Sequence, residues 1–208
     1  MGADAGESPA PAVTLWTDFI CPWAYAARPL TDWLRRQGAD VTVRAYELHP
    51  HLPPEGRPIR PGGRLDAVLD HIAGECARAG QPFTKPTRSP NSRLALEVLE
   101  LASAHGHETG RLVEAALSEA HWVRGDAIDD PDRLESILRD HLERNVVDGL
   151  CRQRSAGEGG RLVDAARVDA LEVGVTATPG WRIGELTITG LHPADQFQRW
   201  AGRVLRGR

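Results

Sequence analysis

The chain of 208 residues reads as an α/β protein in which two sheet-forming segments are separated by a block of helices. Three observations predict this. The first fifty or so residues carry a β-α-β pattern of apolar spacing. A long middle stretch repeats at helical period. From about residue 161 the pattern returns to α-β-β-α.

Residues 1–12, rich in Ala, Gly and Pro, read as a disordered lead. Residues 13–18 form a short strand with Val13 and Leu15 among its apolar positions. A turn follows at Cys21-Pro22, and Pro22 suits the first position of a helix, where its missing N–H costs nothing. That helix is predicted to run to about Gln37 and stop at Gly38. Val41, Val43 and Ala45 then alternate with Thr42, Arg44 and Tyr46, which is strand period. Residues 49–63 are so rich in Pro and Gly that no regular structure is expected there.

Leu65, Val68, Leu69, Ile72 and Cys76 next fall on one helix face. Leu94, Val98, Leu101 and Ala102 form a second stripe, ending near Gly106, and Leu112, Val113, Ala116, Leu117 and Ala120 a third, ending at Gly125. Asp130-Pro131 is an N-cap and first-turn pair for a fourth helix with the stripe Leu134, Ile137, Leu138, His141 and Leu142. Residues 155–160 read as a loop, with Cys151 close to it. A helix over 161–173 leads into Gly174-Val175-Thr176-Ala177-Thr178-Pro179. Residues 181–183 and 186–189 form a hairpin turned at Gly184-Glu185. A last helix from about Pro193 packs Phe197, Trp200 and Val204 inward. Residues 13–60 and 161–208 thus make one α/β unit, and residues 61–160 an inserted helical one.

Hydrophobic residues at 41%, charged residues at 26% and a net charge of −4 describe an ordinary globular chain. The charge argues against a broad nucleic-acid surface, which needs a basic excess. No run of about 18 apolar residues is present to span a membrane, and the N-terminus lacks the basic start and apolar stretch of a signal peptide. A cytoplasmic setting is therefore expected, and three cysteines, an odd number, fit a reducing compartment. The excess of Arg over the lone Lys85 carries no functional reading.

The chemistry concentrates at Asp18-Phe19-Ile20-Cys21-Pro22-Trp23-Ala24-Tyr25. A strand feeding a helix places Cys21 at the helix N-terminus, where free N–H groups and the dipole favour an anion. Its thiol is expected to ionise below the free value of about 8.5 and act as a nucleophile. Cys76, on an apolar stripe, is expected to be inert core, and Cys151 a structural or exposed thiol. His105 and His107, with no cysteine or carboxylate cluster, make no metal site. His49 and His51 follow the second strand and are weighed as pocket residues. Trp23 is expected to be exposed at the site, Tyr25 packing or functional, Trp181 core, and Arg35-Arg36 a solvated face.

Cys21-Pro22-Trp23-Ala24-Tyr25 resembles the Cys-Pro-Trp-Cys-Tyr active site of FrnE-like proteins in the DsbA family. Four further segments are similar to that family, in its order. They are Tyr46-Glu47-Leu48-His49-Pro50 with Leu52-Pro53-Pro54-Glu55-Gly56, Asn91-Ser92-Arg93-Leu94-Ala95-Leu96-Glu97, Gly174-Val175-Thr176 with Thr178-Pro179, and Gly190-Leu191-His192-Pro193. The resemblance implies a thioredoxin-like fold with an inserted all-helical domain, a cis Pro179 facing Cys21, and a Thr178 backbone offered to a peptide or thiol ligand. Pro22, Trp23, Ala24, Thr178 and Pro179 would then line the substrate or thiol site around Cys21. The family's second cysteine falls on Ala24. A mixed disulfide on Cys21 would therefore need an external thiol for release.

The implied activity is thiol–disulfide exchange through one thiolate on a protein or small-molecule thiol or disulfide, with no tightly bound cofactor. A low-molecular-weight thiol (glutathione, mycothiol or bacillithiol) is the expected co-reactant. Two alternatives are a thiol-cofactor-dependent isomerase or transferase acting on a small biosynthetic substrate, and a redox-inactive peptide-binding or chaperone module. A homodimer is compatible with the sequence, which carries no interface signature.

Overall fold

The computed structural model describes residues 10–207. Strand β1 (Ala12–Thr17) is central and pairs in parallel with β2 (Asp40–Ala45), Leu15 opposite Val43. On its other edge it pairs antiparallel with β5 (Gly180–Ile183), Leu15 opposite Trp181, and β6 (Leu186–Thr189) completes the order β2-β1-β5-β6. The hairpin at Gly184-Glu185 is present as expected. The two halves of this sheet come from opposite ends of the chain, so the intervening helices form an excursion from one sheet.

Alternation along β1 sends Leu15 and Trp16 to opposite faces. On the Leu15 face, fully buried Trp181 meets Phe197 at 4.8 Å between rings and donates its indole N–H to Thr31 Oγ1 at 3.1 Å. Helices α2 (Arg28–Arg36) and α9 (Ala194–Leu205) therefore cover that face. On the other, Trp16 Nε1 donates to the Ala166 carbonyl of α8 (Glu158–Glu172) at 3.1 Å. Arg44 there pairs with buried Glu100 of α4 (Arg93–His105) at 2.9 Å. The other helices are α1 (Pro22–Ala26), α3 (Arg64–Arg78), α5 (His107–Glu119), α6 (Pro131–Arg139) and α7 (Arg144–Ser155). One apolar cluster runs from Val13 and Leu15 through Leu96 and Leu117 to Leu150, so the helical segment shares the sheet's core.

Several expectations need correction. The lead ends sooner than expected, since β1 starts at Ala12; residues 1–9 lie outside the described residues. The helix expected from Pro22 to Gln37 is two helices. Pro29 has no N–H to give the Tyr25 carbonyl four residues back, and Gln81 Nε2 donates to that carbonyl instead, at 2.8 Å. The Pro/Gly-rich segment does hold a short strand, β3 (Arg57–Pro58), paired with β4 (Arg88–Ser89). Leu65, assigned to a buried stripe, is 41% exposed at the first turn of α3. Helix α6 caps on Asp130 as expected, its carboxylate accepting from Arg133 N, but ends before His141. Cys151 lies within α7, not beside a loop. The loop expected over 155–160 shrinks to the turn at Ala156-Gly157, because Gly159 is a packing glycine. A Cβ there would stand 2.8 Å from Glu97 Cβ, and its absence lets α8 lie on α4.

Candidate active site

Cys21 is the N-cap of α1, in extended backbone conformation with Pro22 following. The loop before it is held by Asp18. This carboxylate is buried, accepts from Ile20 N at 3.2 Å and Leu48 N at 2.8 Å, and so ties the thiol loop to the segment after β2. Burial pushes Asp18 above the usual carboxylate range, against the amides of Leu48 and Ile20 and the Ser92 hydroxyl. Sequence reasoning does not single out Asp18. Its one signal is an Asp two residues before an amide it could cap, the pattern of an Asx turn.

The Thr178–Pro179 peptide bond is cis. The Cys21 thiol, 4% exposed, donates to the Thr178 carbonyl at 3.4 Å. Cys21, Pro22, Trp23, Ala24, Thr178 and Pro179 are thus gathered in one place, although residues 21 and 178 lie at opposite ends of the chain. The Thr178 hydroxyl is buried and has no hydrogen-bond partner among the described residues.

The expected low thiol pKa is not what the geometry gives. Burial raises the Cys21 thiol, and the Asp18 charge adds to this. The Thr178 side chain and the backbone of Ala24 and Trp23 act in the opposite direction but do not reverse it. The physical reason is twofold. Solvent is largely excluded from the sulfur, and the break before α2 leaves only a five-residue helix behind it. Both effects favour the neutral thiol over the thiolate.

Behind the thiol, Ala24 and Pro179 border a small cavity of about 10 Å³ with Thr17, Arg28 and Glu114. Arg28 Nε lies 3.3 Å from buried Glu114 Oε1. This ion pair joins α2 to α5 beneath position 24, and nothing in the local sequence points to it. To one side, Trp23 packs on His71 at 5.5 Å between rings, at the edge of a cavity of about 460 Å³ that also touches Leu191 and His192. Trp23 is half-buried rather than fully exposed. To the other side, His49 and His51 border a cleft of about 390 Å³ with Leu48, Arg57, Ile59 and Leu65.

The remaining cysteines are placed apart. All three described cysteines are free thiols. Cys76 is buried among Tyr25, Leu69, Ile72 and Trp122, and burial pushes its thiol up to about 11. Cys151 faces Glu135 at 3.8 Å. His107 pairs with Asp40 at 2.9 Å. No group of three metal-ligating side chains occurs among the described residues, and no described helix is long and apolar enough to cross a membrane.

A buried N-cap thiol set against the residue before a cis-proline, on a four-stranded mixed sheet with helices on both faces, defines a thioredoxin-like protein. The model of the DSBA-like thioredoxin domain matches residues 12–200, and the chain belongs to that family of thiol–disulfide oxidoreductases. Among solved structures, one similar fold is described as a probable DsbA oxidoreductase from Streptomyces coelicolor. It is 22% identical with a TM-score of 0.77, covering 95% of this chain and 91% of that one. Another is the cytosolic disulfide reductase DsbM of Pseudomonas aeruginosa with GSH, at 18% identity and a TM-score of 0.70, covering 94% of this chain and 99% of that one. A third is a 2-hydroxychromene-2-carboxylate isomerase, at 18% and 0.71, covering 94% and 97%. A comparison with curated proteins finds no match.

Proposed function

We propose that this chain is an FrnE-type, cytoplasmic member of the family that performs thiol–disulfide exchange through Cys21 alone. The carrying observation is the Cys21 thiol against the Thr178 carbonyl, with alanine at position 24 and no other thiol on the same turn. Cys76, protonated and enclosed in an apolar cluster, is unsuited to resolve a disulfide on Cys21.

Cys21 loses its proton, and its thiolate attacks a disulfide, forming one mixed S–S bond while the other sulfur leaves as a thiolate that takes up a proton. An external thiolate then attacks the mixed disulfide, carries off the substrate sulfur in a new disulfide and frees Cys21. Thr178 favours the first step, because its unpartnered hydroxyl gains an acceptor when the sulfur becomes an anion. Trp23, Pro22 and Pro179 shape the surroundings. Glutathione, mycothiol or bacillithiol suits the second step.

A second reading has one observation in its favour. The cleft beside the 48–52 segment has the size of a small-molecule site, and the fold is shared with an isomerase. A chain that binds a small acid there but forms no Cys21 adduct would support that reading.

The test is intact mass spectrometry after incubation with oxidised glutathione, comparing this chain with Ala24→Cys. The expected result is an adduct that persists on this chain and disappears on the variant, as the introduced second thiol attacks the mixed disulfide and expels glutathione. Equal persistence on both would overturn the monothiol reading.

A further inference from the structure

Resting on that reading of Cys21, we infer that the cleft between the 48–52 segment and the start of α3 receives an acidic peptide segment flanking the substrate's cysteine. The cleft has an apolar floor of Leu48, Ile59 and Leu65 and a rim of Arg57, His49 and His51. Leu65 is a large aliphatic side chain left 41% exposed, so the floor can accept an aliphatic side chain.

The rim supplies the charge. Arg57, Arg60 and Arg64 are all exposed, and none pairs with an acid among the described residues. Neighbouring Arg88, by contrast, is tied to Asp129, and Arg93 to Glu47, Glu97 and Asp164. Between residues 48 and 65 the only acid is Glu55. On a chain of net charge −4, a segment with three unpaired guanidiniums against one carboxylate is a local reversal of sign. Such a patch steers and retains anions.

The cleft is also joined to the thiol. Leu48 N donates to Asp18 Oδ2 at 2.8 Å, and Asp18 holds the loop that carries Cys21. Ile59 and Leu65 also border a smaller cavity with Ile20, the neighbour of Cys21. An occupant of the cleft therefore touches the segment that Asp18 ties to the thiol loop, and shares Ile59 and Leu65 with the cavity under Ile20. Only Arg57 lines the cleft itself, while Arg60 follows the lining residue Ile59 and Arg64 precedes Leu65. Charges spread in this way suit a run of acidic side chains better than one small anion. The occupant is thus a peptide with an aliphatic residue and two or more acids beside its cysteine.

The probes are fluorescein-labelled peptides with serine in place of cysteine, one carrying Leu-Glu-Asp and one Leu-Lys-Lys, titrated by fluorescence anisotropy at low salt. The acidic peptide is expected to bind about tenfold more tightly, with the preference lost at about 0.5 M NaCl as exposed charges are screened. In the triple variant Arg57→Ser, Arg60→Ser, Arg64→Ser the preference should fall below about twofold. Equal binding of the two peptides, or a preference that survives the triple variant, would overturn the inference. Displacement of the acidic peptide by equimolar glutarate would replace the peptide with a small dicarboxylate as occupant. Because these peptides lack a thiol, the outcome is independent of whether Cys21 forms an adduct.

Discussion

Cys21 and Cys76 are nearly equal in burial, 4% and 1% exposed, yet their surroundings make them opposite in kind. Around Cys76 are carbon and ring faces: Leu69, Ile72, and Tyr25 stacked at 5.5 Å on Trp122. The Cys76 sulfur has no hydrogen-bond partner among the described residues, and burial raises its thiol to about 11. Around Cys21 are polar groups with spare capacity: the Thr178 carbonyl, the orphan Thr178 hydroxyl and the opening amides of α1. Both thiols are raised by desolvation, but only one has donors in place for the charged form. Burial alone therefore does not mark a structural cysteine; the chemistry of what buries it does.

The largest expected effect breaks this comparison if it fails. With oxidised glutathione, Cys21→Ser should abolish the protein adduct completely, while Cys76→Ser should retain it, as read by intact mass. An adduct that survives Cys21→Ser would place the reactive thiol elsewhere and erase the distinction between the two regions.

A second effect, smaller but still large, belongs to the aromatic region. His121 lies in a π-helical turn (Ala120–Arg124) beside Trp122, buried, with its pKa pushed down to about 4 by desolvation. The unfolded chain takes up this proton near 6.5, whereas the folded chain resists until about 4. The neutral imidazole's contribution is thus present in full above pH 6.5 and is lost as pH falls towards 4, with a size of about 3 kcal/mol. Urea unfolding at about pH 7 and about pH 4.5 should show this loss, and His121→Gln should shrink it. A pH dependence unchanged in the variant would mean that other groups carry the acid sensitivity.

The two regions also differ in how far the sequence reveals them. The strand–turn–helix at Cys21, the Thr178-Pro179 segment and the hairpin after it are legible because periodicity and proline placement are local signals. Cys76 is legible as core from its stripe. The Asp18–Leu48 bond, the Arg28–Glu114 pair beneath Ala24 and the burial of His121 are not, because each joins residues far apart in the chain. The thiol's upward shift is hidden for a related reason. A helix N-terminus can be read from sequence, but the desolvation that opposes it depends on how the chain closes over the sulfur. The break at Pro29 is readable in principle, since proline interrupts the N–H series. The Gln81 side chain that repairs it is not. Gly159-Gly160 mislead in the other direction, looking like loop composition where they permit close helix contact.

The smallest effect sharpens what holds Cys21 in its protonated state. Asp18 is close enough for its charge to raise the Cys21 pKa, second to desolvation as an upward cause. Asp18→Asn removes that charge and keeps an oxygen able to accept from Leu48 N or Ile20 N. The Cys21 pKa should then fall, while desolvation continues to hold it up. The pH profile of iodoacetamide alkylation reads it directly. In the parent chain the midpoint should lie above that of a free cysteine, and in Asp18→Asn it should move down while Cys76 stays unreactive in the native state. A purely structural role for Asp18 predicts something else. A loosened loop would speed alkylation at every pH without moving the midpoint. A midpoint that rises or stays fixed would therefore remove the electrostatic coupling and leave Asp18 only as the tether between the thiol loop and the 48–52 segment.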